Sequence, residues 1–235
     1  RLNEYGLTKG GRKLAGRTEE AVYHKLGLAY IPPELREDRG EIDAAQADRL
    51  PRLIELSDMA GDLHSHTRAT DGNESLEAMA EAAAERGYAY LAIPDQSRHV
   101  TVADGLDPER LAEQLDEIDR LNDALDGRIR LLKGIEVDIL EDGSLDLPDD
   151  VLSRLDLRVC SVHYKFDLPR KKQTERILKA MDNRHFNILG HPRGRLIGER
   201  APYDVDLERV IEGAVERGCC LELNAQPWRL DLNDA

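Results

Sequence analysis

Gly61-Asp62-Leu63-His64-Ser65-His66-Thr67 is the stretch that decides the fold of this 235-residue chain. It places two histidines one residue apart, where a short apolar strand gives way to a polar turn. Side chains at positions i and i+2 of a strand point the same way, so both imidazoles can reach one metal ion. Histidines also fall at this spacing on ordinary surfaces. The pair indicates a metal site only in combination with polar residues at equivalent positions elsewhere in the chain.

Three further strand-like runs end in a residue that can bind a metal ion. Glu136, His163 and His191 each stand at the end of such a run, and Asp71 follows the first strand within Thr70-Asp71-Gly72. Each of these residues taken alone is better explained by an ordinary hydrogen bond than by a metal site. Their repeated placement at strand ends favours a shared site over separate structural roles.

Strand-like runs alternate with helix-like runs from about residue 59 onward. The predicted strands are 60–66, 88–94, 129–137, 157–163, 187–191 and 219–224, and the predicted helices are 74–86, 107–125, 148–154, 171–183 and 205–217. Such βα units in series imply parallel strands, since right-handed crossovers return each strand beside the last. An open doubly wound sheet offers one crevice, whereas a barrel surrounds a site with the carboxyl ends of its strands. The polar residues therefore favour an α/β fold of the (β/α) barrel type, which six units leave unclosed.

Composition excludes several classes of protein. Hydrophobic residues make up 40% of the chain, enough for a substantial core. No long apolar run and no leader sequence is visible, so we expect a cytoplasmic protein without membrane contact. Cys160, Cys219 and Cys220 match neither a disulfide framework nor a zinc spacing, and we expect buried thiols. The net charge of −14 argues against broad non-specific nucleic-acid binding, although cations held among carboxylates would offset it.

Basic residues cluster just after two of the predicted ligands. They are either a solvated surface or an electropositive rim that receives a phosphodiester backbone. The candidates for phosphate contact are Lys165, Arg170, Lys171, Arg193 and Arg195. Tyr164 and Trp228 could stack on bases, although core packing is the commoner fate of both side chains.

The types of ligand indicate a reaction class. Imidazoles mixed with carboxylates suit Zn²⁺, Mn²⁺ or Fe²⁺, whereas an all-oxygen set suits Mg²⁺ or Ca²⁺. Glu136 has two carboxylate oxygens and can bridge two cations. A pair of cations about 3.5–4 Å apart stabilises both the attacking and the leaving oxygen of a phosphoryl displacement. These residues therefore favour phosphoester hydrolysis.

The motifs resemble the polymerase and histidinol phosphatase (PHP) domain family. The residues that carry the likeness are the opening stretch with Asp71-Gly72, Gly134-Ile135-Glu136, Ser161-Val162-His163, Gly190-His191-Pro192 and Glu222-Leu223-Asn224-Ala225. The sequence from Gly190 to Gly198 and from Pro202 to Asp206 is similar to that of the PHP domains fused to bacterial family X DNA polymerases. The resemblance implies a distorted seven-stranded (β/α) barrel with up to three metal ions. Its last βα unit would lie beyond Ala235.

The same resemblance implies a division of the chain. Residues 1–36 are similar to the end of the nucleotidyltransferase core and are expected to be a short, α-rich remnant of the polymerase thumb. Residues 37–58 are expected to be a linker, and 59–235 the PHP domain. The three palm carboxylates and the Mg²⁺ of polymerisation would lie upstream of Arg1.

Roles carry over from the family residue by residue. The implied ligands of the first metal are His64, His66 and Glu136. Those of the second metal are Glu136, His163 and His191, and Asp71 is an implied ligand of the third. Two departures reduce the expected number of Mn²⁺ or Zn²⁺ ions. Gln96, in Pro94-Asp95-Gln96-Ser97, stands where the family usually has histidine. The family's Asp-x-His motif on the seventh strand would follow Ala235. Of the implied ligands, His64, His66 and Glu136 are the candidate catalytic residues.

The resemblance implies a Mn²⁺-stimulated 3′–5′ exonuclease and 3′-end-processing domain within a nucleoid-associated protein that fills gaps during base excision repair. Its partner would be DNA, at 3′ ends and gaps. Two alternatives remain open. A degenerate PHP scaffold beside the polymerase core is suggested by Gln96. A phosphatase of the histidinol-phosphate type is disfavoured by the polymerase-like residues 1–36. The sequence leaves the oligomeric state open.

Overall fold

The computed structural model describes residues 1–99 and 104–232, so the predicted domain end at Ala235 lies outside the described residues. The chain divides into two compact units, Arg1–Asp58 and Met59–Ala235. The N-terminal unit contains β1 (Leu2–Asn3), β2 (Gly6–Lys9), β3 (Arg12–Ala15), α1 (Glu19–Leu26) and α2 (Glu41–Gln46), with short 3₁₀ turns at Pro33–Leu35 and Leu56–Asp58. The three strands form one antiparallel sheet in chain order.

The helix predicted to start after Thr18 is present. The Thr18 hydroxyl accepts a hydrogen bond from the Ala21 backbone N–H, and Gly27 ends the helix with φ of +74°. The three-stranded sheet before it was not predicted, because its strands are only two to four residues long. A signal was nevertheless available. Gly10 and Gly11, which both have positive φ, form the two-residue turn that joins β2 to β3.

The second unit contains the six parallel strands and five helices that the sequence predicts. The strands are β4 (Gly61–Asp62), β5 (Tyr90–Ile93), β6 (Arg130–Asp138), β7 (Leu157–Ser161), β8 (Ile188–Leu189) and β9 (Cys220–Leu221). The helices are α3 (Leu76–Glu85), α4 (Pro108–Leu125), α5 (Asp149–Leu152), α6 (Arg170–Met181) and α7 (Leu207–Arg217). Each strand pairs in parallel with the next one along the chain. They form a curled half-barrel, and β4 and β9 do not pair within the described residues.

Capping residues set where the helices begin. The Ser75 hydroxyl accepts from Ala78 N at the start of α3, and the Asp107 carboxylate accepts from the first backbone N–H groups of α4. Asp206 caps α7 in the same way. None of the helices formed by the described residues is long and apolar enough to cross a membrane.

The middle of the sheet is the most deeply buried part of the unit. Leu131, Ile135 and Val137 of β6 are fully buried, and β6 pairs with β5 on one side and β7 on the other. A strand buried on both faces is expected to be apolar nearly throughout. The two buried polar residues of β6, Glu136 and Asp138, are both 1% exposed and lie towards its carboxyl end, whereas Arg130 and Lys133 near its start are less buried.

The expected burial of the cysteines is confirmed for Cys160 and wrong for Cys220. Cys160 lies in β7 between two other strands and is fully buried, whereas Cys220 is exposed and Cys219 is half-buried. The reason is position in the sheet. Within the described residues β9 pairs with β8 alone, so one side of this strand has no neighbour to cover it.

Candidate metal centre

The buried carboxylate of Glu136 lies between two pairs of histidines. Its Oε2 is 3.2 Å from His64 Nε2 and 3.4 Å from His66 Nε2. Its Oε1 is 3.2 Å from His163 Nε2 and 2.9 Å from His191 Nε2. Each oxygen of this one carboxylate therefore faces its own pair of imidazole nitrogens.

Strand topology brings these five side chains together. His64 and His66 follow β4, and Glu136 lies in β6. His163 follows β7, and His191 follows β8. The carboxyl ends of parallel strands meet at the same edge of a sheet, so residues far apart in sequence converge there. The convergence predicted from strand ends is what the structure shows.

Two glycines make the close approach possible. A Cβ on Gly190 would lie 2.2 Å from Ser161 Oγ, so only glycine lets the start of the His191 turn pack against β7. A Cβ on Gly72 would lie 2.2 Å from the His66 carbonyl oxygen. Both contacts are shorter than any Cβ tolerates, and both glycines border residues of the centre.

The donors fall into two sets that each fit a divalent cation. One set is His64, His66 and Glu136; the other is Glu136, His163 and His191; within each, the ligand atoms lie within 4.8 Å of one another. Ligands 2.0–2.1 Å from a tetrahedral cation are roughly 3.3 Å apart. The measured nitrogen–oxygen separations of 2.9 to 3.4 Å agree with that spacing. Imidazole combined with carboxylate suits Zn²⁺, Mn²⁺ or Fe²⁺.

Charge compensation inside the centre is strong. Burial alone would raise the pKa of Glu136, but the imidazoles of His64 and His163 hold it well below its usual range. Burial would lower the pKa of His64, yet the carboxylates of Glu136 and Glu222 raise it to about 10. The pKa of His163 is also raised to about 10 against burial, by Glu136 and Asp138. Without a cation, protons on these two imidazoles balance the buried carboxylate.

Two carboxylates that the sequence analysis did not single out orient histidines of the centre. Glu222 Oε1 lies 2.6 Å from His64 Nδ1, and Asp138 Oδ1 lies 3.0 Å from His163 Nδ1. A carboxylate on Nδ1 fixes the ring and leaves Nε2 as the ligand atom. Signals for both existed in the sequence. Glu222 lies two residues before the end of the predicted strand 219–224, and Asp138 stands two residues after Glu136 on the same strand face.

Asp71 lies beside the centre but belongs to neither donor set. Its Oδ1 is 3.4 Å from His66 Nδ1, and its side chain is 45% exposed. The loop that carries it is held by Asp95, which is fully buried. Asp95 accepts hydrogen bonds from Thr67 N and Oγ1, from Thr70 Oγ1 and from Gln114 Nε2. The role of Asp71 as a ligand of a third metal stays a prediction.

Gln96 contacts the shared carboxylate directly. Its Nε2 donates to Glu136 Oε2, the oxygen that faces His64 and His66, at 2.5 Å. Its Oε1 is buried and has no hydrogen-bond donor among the described residues. An uncharged amide therefore occupies one direction of approach to the first donor set, and no described residue donates an amide N–H in the same way to Glu136 Oε1, the oxygen of the second set.

The four histidines, Glu136, Asp71 and Gln96 line one pocket of about 550 Å³. The same pocket is lined by Phe166, Arg200, Trp228 and Arg229, none of which the sequence analysis placed in a metal site. Burial lowers the pKa of Arg200, and the nearby charge of Arg229 lowers it further. The lining of the pocket thus combines four histidines with two guanidinium groups.

The five predicted phosphate contacts do not line this pocket. Lys165 is exposed, and Arg170 and Lys171 lie near acidic side chains, at 3.6 Å from Asp206 and 3.9 Å from Glu175. Arg193 donates its backbone N–H to the Asp231 carboxylate. Arg195 donates to the carbonyl oxygens of Arg229 and Leu230. Contact of these five residues with DNA stays a prediction.

Tyr164 is held by packing. Its hydroxyl accepts a hydrogen bond from the Glu141 backbone N–H, and the Arg176 guanidinium lies 4.8 Å from its ring centroid. The imidazole of His99 lies 4.9 Å from it on a tilted plane. These partners favour the structural role over base stacking. Trp228, in contrast, is 57% exposed.

Two family models match the chain. The PHP domain model matches residues 62–226, and the DNA polymerase beta thumb model matches residues 1–37. The chain is 44% identical over 234 residues to the "DNA polymerase/3′-5′ exonuclease PolX" of Bacillus subtilis, which covers 99% of this chain and 40% of that protein. It is also 34% identical over 100 residues to a "Probable phosphatase" of Caldanaerobacter subterraneus subsp. tengcongensis, covering 41% of this chain and 37% of that protein. The chain thus spans about two fifths of these relatives' length.

Solved structures agree on the fold. The histidinol phosphate phosphatase of Lactococcus lactis, complexed with zinc, L-histidinol and phosphate, superposes with a TM-score of 0.51 at 16% identity over 70% of this chain and 73% of that one. A candidate histidinol phosphatase of Listeria monocytogenes gives a TM-score of 0.52 at 15% identity, covering 73% and 85%. The resemblance inferred from the motifs, including that to the domain fused to family X polymerases, is confirmed.

Proposed function

Because the chain belongs to the PHP domain family, we propose that it is a metal-dependent phosphodiesterase that removes nucleotides from the 3′ ends of DNA. The observation that carries the proposal is the position of Glu136 between two histidine pairs, one pair at each carboxylate oxygen. The exonuclease activity in the name of the Bacillus subtilis relative supports 3′–5′ exonuclease chemistry for this chain.

The residues of the chain supply the framework for hydrolysis. A divalent cation, Mn²⁺ or Zn²⁺, would activate water and stabilise charge on the phosphoryl oxygens. Glu136 and the four histidines would hold such cations. Glu222 and Asp138 keep the rings of His64 and His163 turned with Nε2 towards Glu136. Because Glu136 belongs to both donor sets, its position determines the geometry of both.

The wider setting is also part of the proposal. Residues 1–36 would be the end of a polymerase core, 37–58 a linker and 59–235 the phosphoesterase domain of a family X DNA polymerase. The thumb match at residues 1–37 supports this arrangement. The parent would bind 3′ ends and gapped DNA at the nucleoid during base excision repair, with Mg²⁺ at its polymerase core.

Two other functions have specific support. A catalytically degenerate scaffold is favoured by the contact of Gln96 with Glu136, which places an amide where the first donor set opens. A phosphatase for small phosphomonoesters is favoured by the phosphatase-named relatives and by the fold of the histidinol phosphatases. Substrate choice separates the phosphatase from the exonuclease, and metal content separates the scaffold from both.

The test compares substrates under matched conditions. A 5′-labelled single strand, p-nitrophenyl phosphate and histidinol phosphate are incubated with the chain and Mn²⁺, and bound metal is counted by mass spectrometry. We expect stepwise shortening of the strand from its 3′ end, and loss of shortening and of metal in Glu136→Gln. Glu85→Gln, at an exposed position in α3, is the matched control. Hydrolysis of the monoesters alone would favour the phosphatase, and metal-free, inactive protein the scaffold.

A further inference from the structure

The pocket that holds the histidines is also lined by Trp228, Arg200 and Arg229, which the proposed hydrolysis does not use. We propose that these three residues form a recognition subsite for the terminal nucleotide of a single-stranded nucleic acid, in which Trp228 stacks on the base and the two arginines hold the phosphate. The inference rests on the proposed function, because it supplies that reaction with its substrate.

Arg229 has the features of a donor without a protein partner. Its Nη1 is buried and has no hydrogen-bond acceptor among the described residues. It lines the same pocket as His191 and Arg200. A buried donor left unpaired is unfavourable, and an anionic ligand would satisfy it.

The Arg200 side chain is held in place by its Nε and its guanidinium carbon, which leaves its two Nη groups free to bind a ligand. Its Nε donates to the Gly194 carbonyl oxygen at 2.8 Å, and its guanidinium carbon lies 4.1 Å from the Phe166 ring centroid. No described residue accepts a hydrogen bond from its two Nη groups. A guanidinium that lies over a ring and is bonded through Nε has its remaining N–H groups available as a fork that suits phosphate.

Arg200 and Arg229 line the same pocket. Neither forms an ion pair with a carboxylate among the described residues, so both guanidinium groups keep their charge available for an anionic ligand.

Trp228 is exposed on a loop that is held at several points. Its carbonyl oxygen accepts from Ile197 N at 2.7 Å, and Arg195 donates to the carbonyl oxygens of the next two residues. Asn224 and Asp231 pair as an antiparallel bridge at the base of the loop. An exposed indole on a fixed loop is a stacking platform that every base can use. Phosphate alone would not need it, which favours a nucleotide over a small phosphomonoester.

The composition of the chain makes the test direct, because Trp228 is its sole tryptophan. Tryptophan emission is followed while the single strand (dT)8 or inorganic phosphate is added, with EDTA present to prevent hydrolysis. We expect saturable quenching by (dT)8 and none by inorganic phosphate, which has no ring to stack on the indole. Arg229→Ala and Arg200→Ala should each weaken (dT)8 binding about tenfold and lower its salt dependence by about one phosphate contact. Arg154→Ala, at an exposed position outside the pocket, should bind (dT)8 like the parent.

Kinetics provide a second readout. Trp228→Ala should raise KM for a labelled single strand by roughly 5- to 150-fold, while kcat and the hydrolysis of p-nitrophenyl phosphate stay within about twofold. Trp228→Phe should retain most of the binding, which separates stacking from loss of fold. Far-ultraviolet circular dichroism verifies folding of each variant.

Outcomes for the subsite and for the proposed function can be told apart. If the chain hydrolyses the strand but (dT)8 does not quench Trp228 emission, or if both arginine variants bind like the parent, the subsite is wrong and the hydrolysis stands. If (dT)8 quenches and the arginine variants lose it, but no metal supports hydrolysis of any substrate, the subsite stands and the proposed reaction is wrong. Quenching by inorganic phosphate at equal affinity would overturn base stacking.

Discussion

Glu222 Oε1 lies 2.6 Å from Nδ1 of His64, although the two residues are 158 positions apart in sequence. The other oxygen of the same carboxylate accepts a hydrogen bond from the His191 backbone N–H. One carboxylate at the end of the last strand therefore touches a histidine of each donor set. Glu222 therefore connects the two candidate metal positions by hydrogen bonds to their histidines, without itself belonging to either donor set.

Glu222→Gln should lower metal affinity at the His64, His66 and Glu136 set. The neutral amide no longer favours the His64 ring with its proton on Nδ1, and loss of such a partner typically weakens metal binding 10- to 100-fold. Zn²⁺ competition against a chromophoric chelator measures this change, with Glu85→Gln as control. Unchanged affinity would show that Glu222 is a structural contact only.

Metal should occupy the set of Glu136, His163 and His191 before the other set. Gln96 donates to the Glu136 oxygen that faces His64 and His66, whereas the contacts of the second oxygen with described side chains are those with His163 and His191 themselves. Anomalous scattering at the Zn or Mn edge at limiting metal locates the first ion. A stronger peak beside His66 would contradict the expected order, and His163→Ala should abolish the first peak whereas His66→Ala should leave it.

Gln96→His should increase metal binding and Mn²⁺-dependent hydrolysis. The imidazole would replace an amide that now donates to Glu136 with a group able to act as a metal ligand. Metal counting after dialysis should show up to one additional ion per chain. Gln96→Asn, which shortens the amide without adding a ligand nitrogen, controls for loss of the hydrogen bond. Equal metal content in Gln96→His and the parent would show that this position does not limit the site.

Apparent metal affinity should rise with pH across the neutral range. The pKa values of His64 and His163 are raised to about 10, so a cation must displace protons that these imidazoles carry at pH 7. Each proton released gives up to about a tenfold gain in affinity per pH unit. Calorimetry in buffers with different ionisation enthalpies counts the released protons. Affinity that is flat between pH 6 and pH 8 would mean that the metal-free imidazoles are neutral.

Asp95→Ala should destabilise the PHP unit by about 3 kcal/mol, because it leaves buried donors of the Thr67–Thr70 turn and of Gln114 without an acceptor. Urea unfolding followed by circular dichroism measures the free energy of unfolding. Asp123→Ala, at an exposed position in α4, serves as control. A loss no larger than in the control would show that solvent replaces the carboxylate.

Much of the fold and of the centre could be predicted from the sequence. The alternation of strand-like and helix-like runs predicted all six strands of the PHP unit, and the rule that parallel strands end at one edge predicted that His64, His66, Glu136, His163 and His191 meet. The short sheet of residues 2–15 escaped, because strands of two to four residues carry too little periodicity to be recognised.

The sequence by itself determined which residues could reach the centre, since strand direction and side-chain alternation are local properties repeated along the chain. Only the tertiary structure decided which of them touch. The curl of the sheet places Glu222 on His64, turns the Gln96 amide onto Glu136, and brings Arg200, Trp228 and Arg229 to the pocket while Arg195 turns to the backbone beneath them. Such contacts depend on distances across the barrel, and those are set by the packing of all its strands together rather than by any one stretch of sequence.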